Sequence, residues 1–582
     1  MTEHPSDPRA DAAGPPPNAP RTPLEALRRA VLEASEELVR EAGGPVEPPR
    51  DGAAPVPAKA PARGTITLEH PRRPEFGDYA TNAALLLAPR LGAPPREIAE
   101  RLGAALQMRL GAELERVEVA GPGFLNMFLA DSWLTGALAD VLAAGTQFGA
   151  GGAERPERVL VEFVSANPTG PMHVGHARNA AYGDSLARML ELHGHRVERE
   201  FYVNDQGSQV RKFGESIQAL ARGEEPPEDG YRGAYMVPLA GRIEDASNAD
   251  PLQAGSAAVT IMVENMRASL AAFRVSGFGD WFRESSLHEG DPSAVAHTLA
   301  ILAEHGHTYT ADGALWLRTS EFGDDKDRVL VRSNGEHTYF ASDIAYHQDK
   351  RERGFERQID VWGADHHGYV LRMKAAYAAL GGDPHELELL IMQLVHLLRS
   401  GERAQMSKRA GEFVTLEALV EEIGVDAARW YLLARSHDTT VDLDLDLARE
   451  QSKENPVYYV QYAHARIASM LAKAGEERVR TASSTVERSA DSALHPAERA
   501  LIEHLLAFPG ELAEAVERRA PHRIAAYVLE LAQGFTAFYS DCRVLGAEPE
   551  RVESLRLALC VASMRTLARC LALLGVDAPE QM

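Results

Sequence analysis

Residues 159–194 read VLVEFVSANPTGPMHVGHARNAAYGDSLARMLELHG, and this stretch decides the fold of the chain around it. The apolar, β-branched run at residues 159 to 164 is typical of a buried strand in a parallel sheet. Two prolines and a glycine at residues 167 to 171 then end the strand. A helix is predicted from about residue 173 to residue 192, with Gly194 in the position of a left-handed C-cap.

His173 and His176 fall on one face of the first turn of that helix, at the positive end of the helix dipole. A phosphate binds readily to the backbone N–H groups of a helix N-terminus, and Gly175 leaves that backbone accessible to a nucleotide. The spacing HVGH alone is also compatible with two surface histidines beside a glycine, because the chain contains 21 histidines.

The longer stretch EFVSANPTGPMHVGHARNAAYGD, residues 162–184, resembles the HxGH signature of class I aminoacyl-tRNA synthetases, in the extended form of the arginyl-tRNA synthetases. The resemblance implies that His173 and His176 are catalytic. The signature region comprises Ala166, Asn167, Pro168, Thr169, Gly170, Pro171, Met172, His173, Val174, Gly175 and His176.

Composition and charge limit the classes of protein to consider. The 582 residues are 45% hydrophobic and 25% charged, as in an ordinary globular protein, and we expect no membrane span. No secretory signal is apparent and the three cysteines form no CxxC pair, so we expect a cytoplasmic location. The net charge of −24 disfavours nucleic-acid binding, but residues 451–582 carry 15 Lys and Arg against 17 Asp and Glu. That part is the more plausible RNA face.

Alternating strand and helix patterns predict a Rossmann-like, doubly wound α/β catalytic domain, with a small N-terminal α/β domain and a C-terminal α-helical bundle. The resemblance implies that the N-terminal domain binds the tRNA elbow and the bundle binds the anticodon. We divide the chain into a disordered tail at 1–22, an N-terminal domain at 23–150 with a flexible insertion at 45–63, a catalytic domain at 151–445 and a helical domain at 446–582.

Several local patterns refine this division. Thr22 and Pro23 predict a helix N-terminus. The resemblance extends to GDYATN and AGPGF, although the residues alone favour core and turn roles for Phe76, Tyr79 and Asn82. A long helical stretch ending in FGDWFRESSLHEG, followed by GALWLRTSEFGDDKDRVLVRSNGEHTYFASDIAYHQDK, predicts an insertion and a return to the catalytic sheet.

A candidate amino-acid pocket lies in TYFASDIAYH, where Tyr339 and Asp343 are four residues apart and face one side of a helix. A carboxylate matches a guanidinium with two hydrogen bonds, although the residues alone favour a helix cap as the role of Asp343. The resemblance implies an arginine pocket lined by Glu162, Asn167, His173, Tyr339, Asp343 and His366.

Asp365, His366 and His367 form a polar cluster that could be mistaken for a metal site. Adjacent histidines diverge on a regular backbone, and no third ligand stands at the usual spacing, so we expect no protein-bound metal. The resemblance places this GADHH block beside ATP and arginine as a binding element.

Residues 402–419, ERAQMSKRAGEFVTLEAL, are a polar loop that resembles the KMSKS signature. Gln405 replaces its first lysine and Arg409 its last serine. Some family members carry a lysine just before the HxGH box instead, but this chain has Gly170 there and keeps Lys408. We therefore expect Lys408 to be the catalytic cation. The residues implied to bind ATP are His173, Gly175, His176, Asp365, His366, Met406, Ser407 and Lys408.

From about Val441 the sequence becomes rich in alanine and leucine at helical spacing. Tyr458, Tyr459 and Tyr462 could stack on RNA bases, but helical spacing favours a core position for at least two of them.

These observations predict an arginine–tRNA ligase that uses ATP, with Mg²⁺ on the phosphates, L-arginine and tRNA(Arg), and acts as a monomer. The resemblance also implies that arginine activation requires tRNA. Two alternatives are a nucleotidylyltransferase, which shares the HxGH box but not the later MSK loop, and a non-catalytic tRNA-binding paralogue, which would lose His173, His176 or Lys408.

Overall fold

The structure, a computed structural model, describes residues 22–42, 64–71, 73–403, 414–486 and 493–582. The predicted insertion at 45–63 and the predicted tail, apart from residue 22, lie outside the described residues. The MSK loop also lies outside them, with Gln405, Met406, Ser407, Lys408 and Arg409.

The N-terminal region packs helices against a small antiparallel sheet. Its first helix begins where the sequence predicts, because the Thr22 side chain accepts a hydrogen bond from the Glu25 N–H at 3.2 Å and proline follows at the first helical position. The region contains α1 (Pro23–Glu41), β1 (Leu68–Glu69), β2 (Tyr79–Thr81), α2 (Ala83–Leu91), α3 (Pro95–Leu110), β3 (Leu114–Ala120), β4 (Phe124–Leu129) and α4 (Asp131–Ala144), with the sheet order β1-β2-β4-β3.

The sequence favours core and turn roles for three N-terminal residues, and two of them have such roles in the structure. Tyr79 is buried, and the Asn82 side chain bonds to the backbone of Thr65 and Thr67. Phe76 differs, because it is 44% exposed.

The central region is built on a parallel sheet. In chain order it contains β5 (Arg158–Glu162), α5 (Val174–His193), β6 (Arg196–Val203), α6 (Gly207–Ala221), α7 (Met236–Ala240), α8 (Pro251–Ala272), β7 (Phe278–Arg283), α9 (Ala294–Glu304), β8 (Thr308–Ala311), β9 (Ala314–Leu317), β10 (Arg328–Val331), α10 (Tyr339–Glu352), β11 (Arg357–Gly363), α11 (Val370–Ala379), β12 (Leu387–Met392), β13 (Val395–Arg399), β14 (Glu402–Arg403), α12 (Leu416–Leu433), β15 (Val441–Asp444) and α13 (Leu445–Arg449).

Five of these strands form the parallel sheet in the order β12-β11-β5-β6-β7. The chain moves from β5 outward to β7 and later returns to β11 on the other side of β5. The order therefore reverses between β5 and β11, which is where a doubly wound sheet binds its ligand. The predicted doubly wound fold is confirmed.

Helix α5 covers the sheet closely at β5. A Cβ atom on Gly183 would lie only 2.2 Å from Cγ of Phe163, so glycine is required there for the helix to approach the strand. Gly194 takes the left-handed conformation with φ 113°, which confirms the predicted C-cap. The strand itself ends at Glu162, two residues earlier than predicted, because Val164 and Ser165 have φ of 71° and 39°.

The insertion differs from the prediction in two respects. The segment FGDWFR is not the end of a helix but the edge strand β7 of the parallel sheet. The segments predicted to return to that sheet, β9 and β10, instead form a separate antiparallel sheet with β8. The apolar patterns of these short strands suit either sheet, so only the tertiary packing distinguishes them.

The C-terminal region is a helical bundle, as predicted. Val441 itself lies in β15, which pairs parallel to β13, so the helices begin slightly later than the composition suggests. The bundle contains α14 (Pro456–Ala474), α15 (Glu476–Ser484), α16 (Pro496–Glu517), α17 (Pro521–Asp541) and α18 (Glu550–Leu574). Within the described ranges, α18 is the one helix long and apolar enough to cross a membrane, and 72% of its apolar window is buried in the structure. Such burial is typical of a core helix.

Candidate active site

A cleft of about 1000 Å³ opens at the carboxyl ends of β5 and β11, at the reversal point of the sheet. Eleven of the residues predicted for the site line this cleft, although they come from separate parts of the chain. They are Glu162, Ala166, Asn167, His173, Val174, Gly175, His176, Tyr339, Asp343, Asp365 and His366.

The two histidines of the HVGH box cap helix α5. Nδ1 of His173 accepts a hydrogen bond from the Gly175 N–H at 3.0 Å, and Nδ1 of His176 accepts one from the His173 N–H at 3.3 Å. Their rings stack with centroids 3.8 Å apart. Because each Nδ1 is an acceptor, a neutral ring carries its proton on Nε2.

Burial lowers the pKa of both imidazoles, that of His176 to about 3, with a further contribution from the neighbouring His173. Both rings are therefore neutral at physiological pH. A neutral ring with a proton on Nε2 can donate a hydrogen bond to a phosphate oxygen.

Glycine is required between the histidines by the stacked geometry. A Cβ atom on Gly175 would lie 2.9 Å from Cε1 of His173, closer than carbon atoms tolerate. The loop before the helix is strained as well, since Val164, a β-branched residue, has φ 71°. Strain of this kind commonly occurs at functional sites.

Tyr339 and Asp343 lie on the first turns of α10 and both face the cleft. Thr338 caps this helix, so Asp343 does not, and the alternative role for Asp343 is wrong. The Tyr369 hydroxyl donates to Oδ2 of Asp343 at 2.6 Å. Burial raises the pKa of Asp343, while the bond from Tyr369 opposes that rise.

Glu162, at the end of β5, is buried and already held by the protein. Oε2 accepts a hydrogen bond from Nζ of Lys350 at 2.7 Å, and Oε1 accepts one from the Ser165 hydroxyl at 2.8 Å. Lys350 also donates to Oδ1 of Asp360 at 2.8 Å. The sequence pattern did not indicate this buried ion network.

The GADHH block follows β11. Asp365 and His366 line the cleft and are largely exposed, and Nε2 of His366 lies 3.6 Å from Oδ2 of Asp365. His367 is exposed and is not among the residues that line the cleft. Throughout the described ranges, no three His, Cys, Asp or Glu side chains cluster in a way that could hold a metal ion.

The remaining signature residues support the loop rather than lining the cleft. The Tyr235 hydroxyl donates to the Thr169 carbonyl at 2.6 Å, and Met172 is buried. Gly170 has room for a side chain, because a Cβ atom there would lie 3.6 Å from its nearest neighbour, the Tyr235 hydroxyl oxygen. Pro168 is buried and Pro171 is exposed.

The described residues on either side of the MSK loop both reach the cleft. Arg403 and Val414 line it. The Val174 N–H donates to the Val414 carbonyl at 3.1 Å, and the Leu416 N–H donates to the Met172 carbonyl at 2.9 Å. The two signatures, more than two hundred residues apart in the chain, are therefore hydrogen-bonded neighbours at this point.

An acidic residue missed by the sequence reasoning lies next to Asp343. Glu284 directly follows β7 and is buried, and with the Asn204 amide turned so that its nitrogen faces Glu284, that amide donates to Oε2 at 3.2 Å. Burial, Asp343 and Asp205 raise the pKa of Glu284 to about 7, while a hydrogen bond with Tyr202 lowers it. Its position at the carboxyl end of a sheet strand was the signal that could have revealed it.

A second groove, on the helical bundle, combines aromatic and basic side chains. The guanidinium carbon of Arg466 lies 4.9 Å from the ring centroid of Tyr462 and 5.0 Å from that of Tyr539. Lys473 and Arg543 line the same groove.

The three tyrosines predicted as stacking candidates have different surroundings. Tyr462 is 43% exposed in this groove. Tyr459 is half-buried and donates a hydrogen bond to Thr536 at 3.0 Å. Tyr458 is half-buried and stacks with Tyr462 at 6.2 Å.

Comparisons with known proteins agree with this geometry. Three family models match: the arginyl tRNA synthetase N terminal domain over residues 28–129, the catalytic domain of class I (R) tRNA synthetases over 137–226 and 261–468, and the DALR anticodon binding domain over 460–582.

Two curated relatives are both named arginine–tRNA ligase. That of Desulforudis audaxviator is 46% identical over 96% of this chain and 98% of its own, and that of Moorella thermoacetica is 46% identical over 89% and 94%. The solved arginyl-tRNA synthetase of Thermus thermophilus is similar in structure, with a TM-score of 0.72, 27% identity and coverage of 96% of this chain and 100% of that one. The chain therefore belongs to the arginyl-tRNA synthetase family.

Proposed function

We propose that the chain is an arginine–tRNA ligase that activates L-arginine with ATP and transfers it to the 3′-terminal ribose of tRNA(Arg). The observation that carries the proposal is that one cleft contains both a site suited to a cation and a site suited to an anion. An acidic pocket at Asp343 suits a guanidinium, and the imidazole pair at the N-terminus of α5 suits a polyphosphate.

For arginine, Asp343 is the principal recognition residue. A planar guanidinium can take two hydrogen bonds from its carboxylate, and the Tyr369 hydroxyl holds that carboxylate in place. Tyr339, Asn167 and Glu162 form the remaining walls, and His173 and His366 stand between the amino acid and the nucleotide. Glu284, whose pKa is raised to about 7 by burial, Asp343 and Asp205, adds a partial negative charge near Asp343 at neutral pH.

For ATP, His173 and His176 donate through Nε2 to the phosphates, next to the backbone of Gly175. Asp365 and His366 contribute from the end of β11. Met406, Ser407 and Lys408 belong to the loop whose described flanks, Arg403 and Val414, line the cleft. We assign to Lys408 the charge that meets the departing pyrophosphate.

We also propose that Mg²⁺ accompanies the triphosphate. Mg²⁺ usually keeps several waters and binds substrate phosphates with few protein ligands, which fits the lack of a three-ligand cluster among the described residues. Exposed Asp365 is the carboxylate best placed to meet the ion through water. When bound, the ion offsets phosphate charge.

The chemistry needs no protein nucleophile. The arginine carboxylate attacks the α-phosphate, pyrophosphate leaves, and the ribose hydroxyl of the tRNA then takes the acyl group from the adenylate. Positioning and charge stabilisation therefore provide the catalysis. The neutral histidines orient phosphate oxygens without losing a proton during the reaction.

For the RNA, the groove around Tyr462, Arg466 and Tyr539 is the proposed contact on the bundle. Aromatic faces stack on bases and basic side chains meet phosphates. The near-neutral charge of residues 451–582 permits this assignment without being evidence for it. We retain the boundaries 23–150, 151–445 and 446–582, and a cytoplasmic monomer, as part of the same proposal.

The decisive experiment is exchange of labelled pyrophosphate into ATP, run with each of the twenty amino acids, with and without tRNA. Exchange with arginine alone among the amino acids supports the proposal. Exchange independent of any amino acid indicates a nucleotidylyltransferase, and tRNA binding without exchange indicates a non-catalytic paralogue.

A further inference from the structure

Lys350 is a fully buried cation on α10, behind the wall of the cleft. Its Nζ lies between two carboxylates, 2.7 Å from Oε2 of Glu162 and 2.8 Å from Oδ1 of Asp360. The same ammonium stands over the ring of Tyr346, 4.1 Å from the centroid. The reaction assigned above leaves this residue without a role.

The groups around this ion network also hold one another in place. Nε2 of His347 lies 2.8 Å from Oδ2 of Asp360, and its Nδ1 lies 2.7 Å from the backbone carbonyl of Asp343. The Tyr346 hydroxyl donates to Glu200 at 2.6 Å. The network thus joins the two acidic walls of the arginine pocket, at Glu162 and at Asp343.

Arg353 closes the far side of the network. It donates to both carboxylate oxygens of Glu200, at 2.6 and 3.0 Å. Glu200 is therefore paired with its own cation and does not compete strongly for Lys350. Glu162 and Asp360 are the carboxylates that bond directly to Lys350.

Two buried carboxylates that bind one ammonium would repel each other without it. In that situation one of the pair takes up a proton near neutral pH, and the titration belongs to both groups together. Burial opposes the charge on Lys350, but the carboxylates outweigh it and raise its pKa, and the pKa of Asp360 is held at about 2 by Lys350 and His347 against burial. Burial and Asp360 raise the pKa of Glu162, and Lys350 opposes that rise, so the ammonium favours the charged form of both carboxylates.

We propose that Lys350 is a positioning residue for arginine recognition, which pairs with Glu162 and orients its carboxylate in the wall of the cleft. With Oε2 bound to Lys350, Oε1 stays beside Ser165 at the cleft surface. This inference rests on the proposed role of Glu162 in the arginine pocket. Lys350 acts through Glu162 and does not touch the substrate.

The test compares Lys350→Met with the wild type in pyrophosphate exchange with tRNA present, from pH 6 to 9. We expect the arginine KM of Lys350→Met to rise about tenfold or more at pH 7, with the KM for ATP little changed. Its arginine KM should fall again as the pH rises, because Glu162 and Asp360 then lose their shared proton. The wild type should show a smaller dependence over this range, because Glu284 has a pKa of about 7, and the difference between the two pH profiles reports the Glu162 and Asp360 pair.

Two further variants keep the test decisive. Glu162→Gln should raise the arginine KM without the additional pH dependence, and an unchanged KM there would refute the pocket assignment itself. Lys350→Met with Asp360→Asn removes the cation and its second carboxylate together, which leaves one buried carboxylate without a cation instead of two. This double variant should keep the raised arginine KM, and its KM should change less with pH than that of Lys350→Met, because Glu162 no longer shares a proton with Asp360.

If Glu162→Gln raises the arginine KM but the Lys350 variants do not, the proposal for Lys350 is wrong. Circular dichroism and the KM for ATP report whether each variant is folded. If Lys350→Met does not fold, the double variant decides, and a wild-type arginine KM in it would overturn the proposal.

Discussion

Asp343 is the carboxylate to which we assign the recognition of arginine. It faces the cleft from α10, receives a hydrogen bond from Tyr369 and interacts electrostatically with Glu284. A guanidinium bound there would be paired away from bulk water, where a charged hydrogen bond is strongest. Recognition of arginine should therefore depend on this charge far more than recognition of ATP does.

We expect Asp343→Asn to raise the arginine KM by about 10², since losing a buried charged pair costs about 3 kcal/mol. The ATP KM should change little. Asp349→Asn, on the same helix but paired with Arg353, is the matched control. Steady-state kinetics of pyrophosphate exchange measure both constants, and an arginine KM within threefold of wild type would contradict the pocket assignment.

Substitution of Lys408 tests the proposed binding of the ATP phosphates in the same way. Gln405 carries no charge, so Lys408→Ala should lower the rate of adenylate formation by about 10² to 10³, or about 2.7–4 kcal/mol, with a smaller effect on ATP affinity. The exposed Lys453→Ala is the control. Single-turnover rates decide, and a fully active Lys408→Ala variant would remove the role given to the lysine.

A lysine placed just before the HVGH box could replace the positive charge that Lys408→Ala removes. Gly170 has room for a side chain near the Tyr235 hydroxyl. We therefore expect Gly170→Lys, added to Lys408→Ala, to recover part of the lost rate. No recovery would leave the role of Lys408 intact and exclude only the exchange between the two positions.

The first turn of α5 depends on a precise fit between two imidazoles and a glycine. Gly175→Ala would place a methyl group 2.9 Å from His173 and separate the stacked rings. We expect kcat/KM for ATP to fall by about tenfold to a hundredfold. Gly368→Ala, where a Cβ meets nothing within 4 Å, is the control, and equal activity of the two variants would contradict the role of the stack.

The same turn makes stability depend on pH. The pKa of His176 is lowered to about 3 by burial and by His173, so the unfolded chain binds this proton below about pH 6.5 and the folded chain does not. The free energy of unfolding therefore has its full value, as far as His176 is concerned, above about pH 6.5. Below that pH it falls by up to about 1.4 kcal/mol per pH unit. His176→Gln should reduce the fall in unfolding midpoint between pH 7 and 5.5, measured against wild type, and identical pH curves would contradict this.

In the molecule as a whole, the catalytic helix and the bundle share one buried junction. Arg429 on α12 is fully buried and donates to Asp184 of α5 at 2.5 Å, to the Leu574 carbonyl of α18 at 2.8 Å and to the Phe273 carbonyl at 3.1 Å. The last residue, Met582, lines the aromatic and basic groove of the bundle. Helix α5 and the bundle are thus joined through packed structure.

We expect arginine activation to require tRNA, as the family resemblance implies. Pyrophosphate exchange with arginine should be at background in enzyme freed of tRNA by nuclease and ion exchange, and should appear when tRNA(Arg) is added. tRNA with its terminal adenosine removed is the control for simple binding. Robust exchange without any tRNA would contradict the expectation.

The sequence by itself determined the family, the fold class and eleven of the residues that line the cleft. It could do so because the HVGH helix, the buried strand and the C-terminal helices are local patterns whose periods specify their elements. Gly194 and Thr22 were predictable for the same reason, since caps depend on the conformation of one residue. The loop signature could be identified, although its structure lies outside the described residues.

Only the tertiary structure decided which side chains share a site. Lys350, Asp360 and Glu284 are charged residues in ordinary helix and strand positions, and their importance arises from burial against groups distant in sequence. The errors at β7, which was predicted as a helix end, and at β9 and β10, which were predicted in the parallel sheet, have the same origin. Short apolar strands suit several sheets, so their partners depend on the packed structure. Local periodicity specifies an element, whereas desolvation, ion pairing and sheet partners depend on the packed whole.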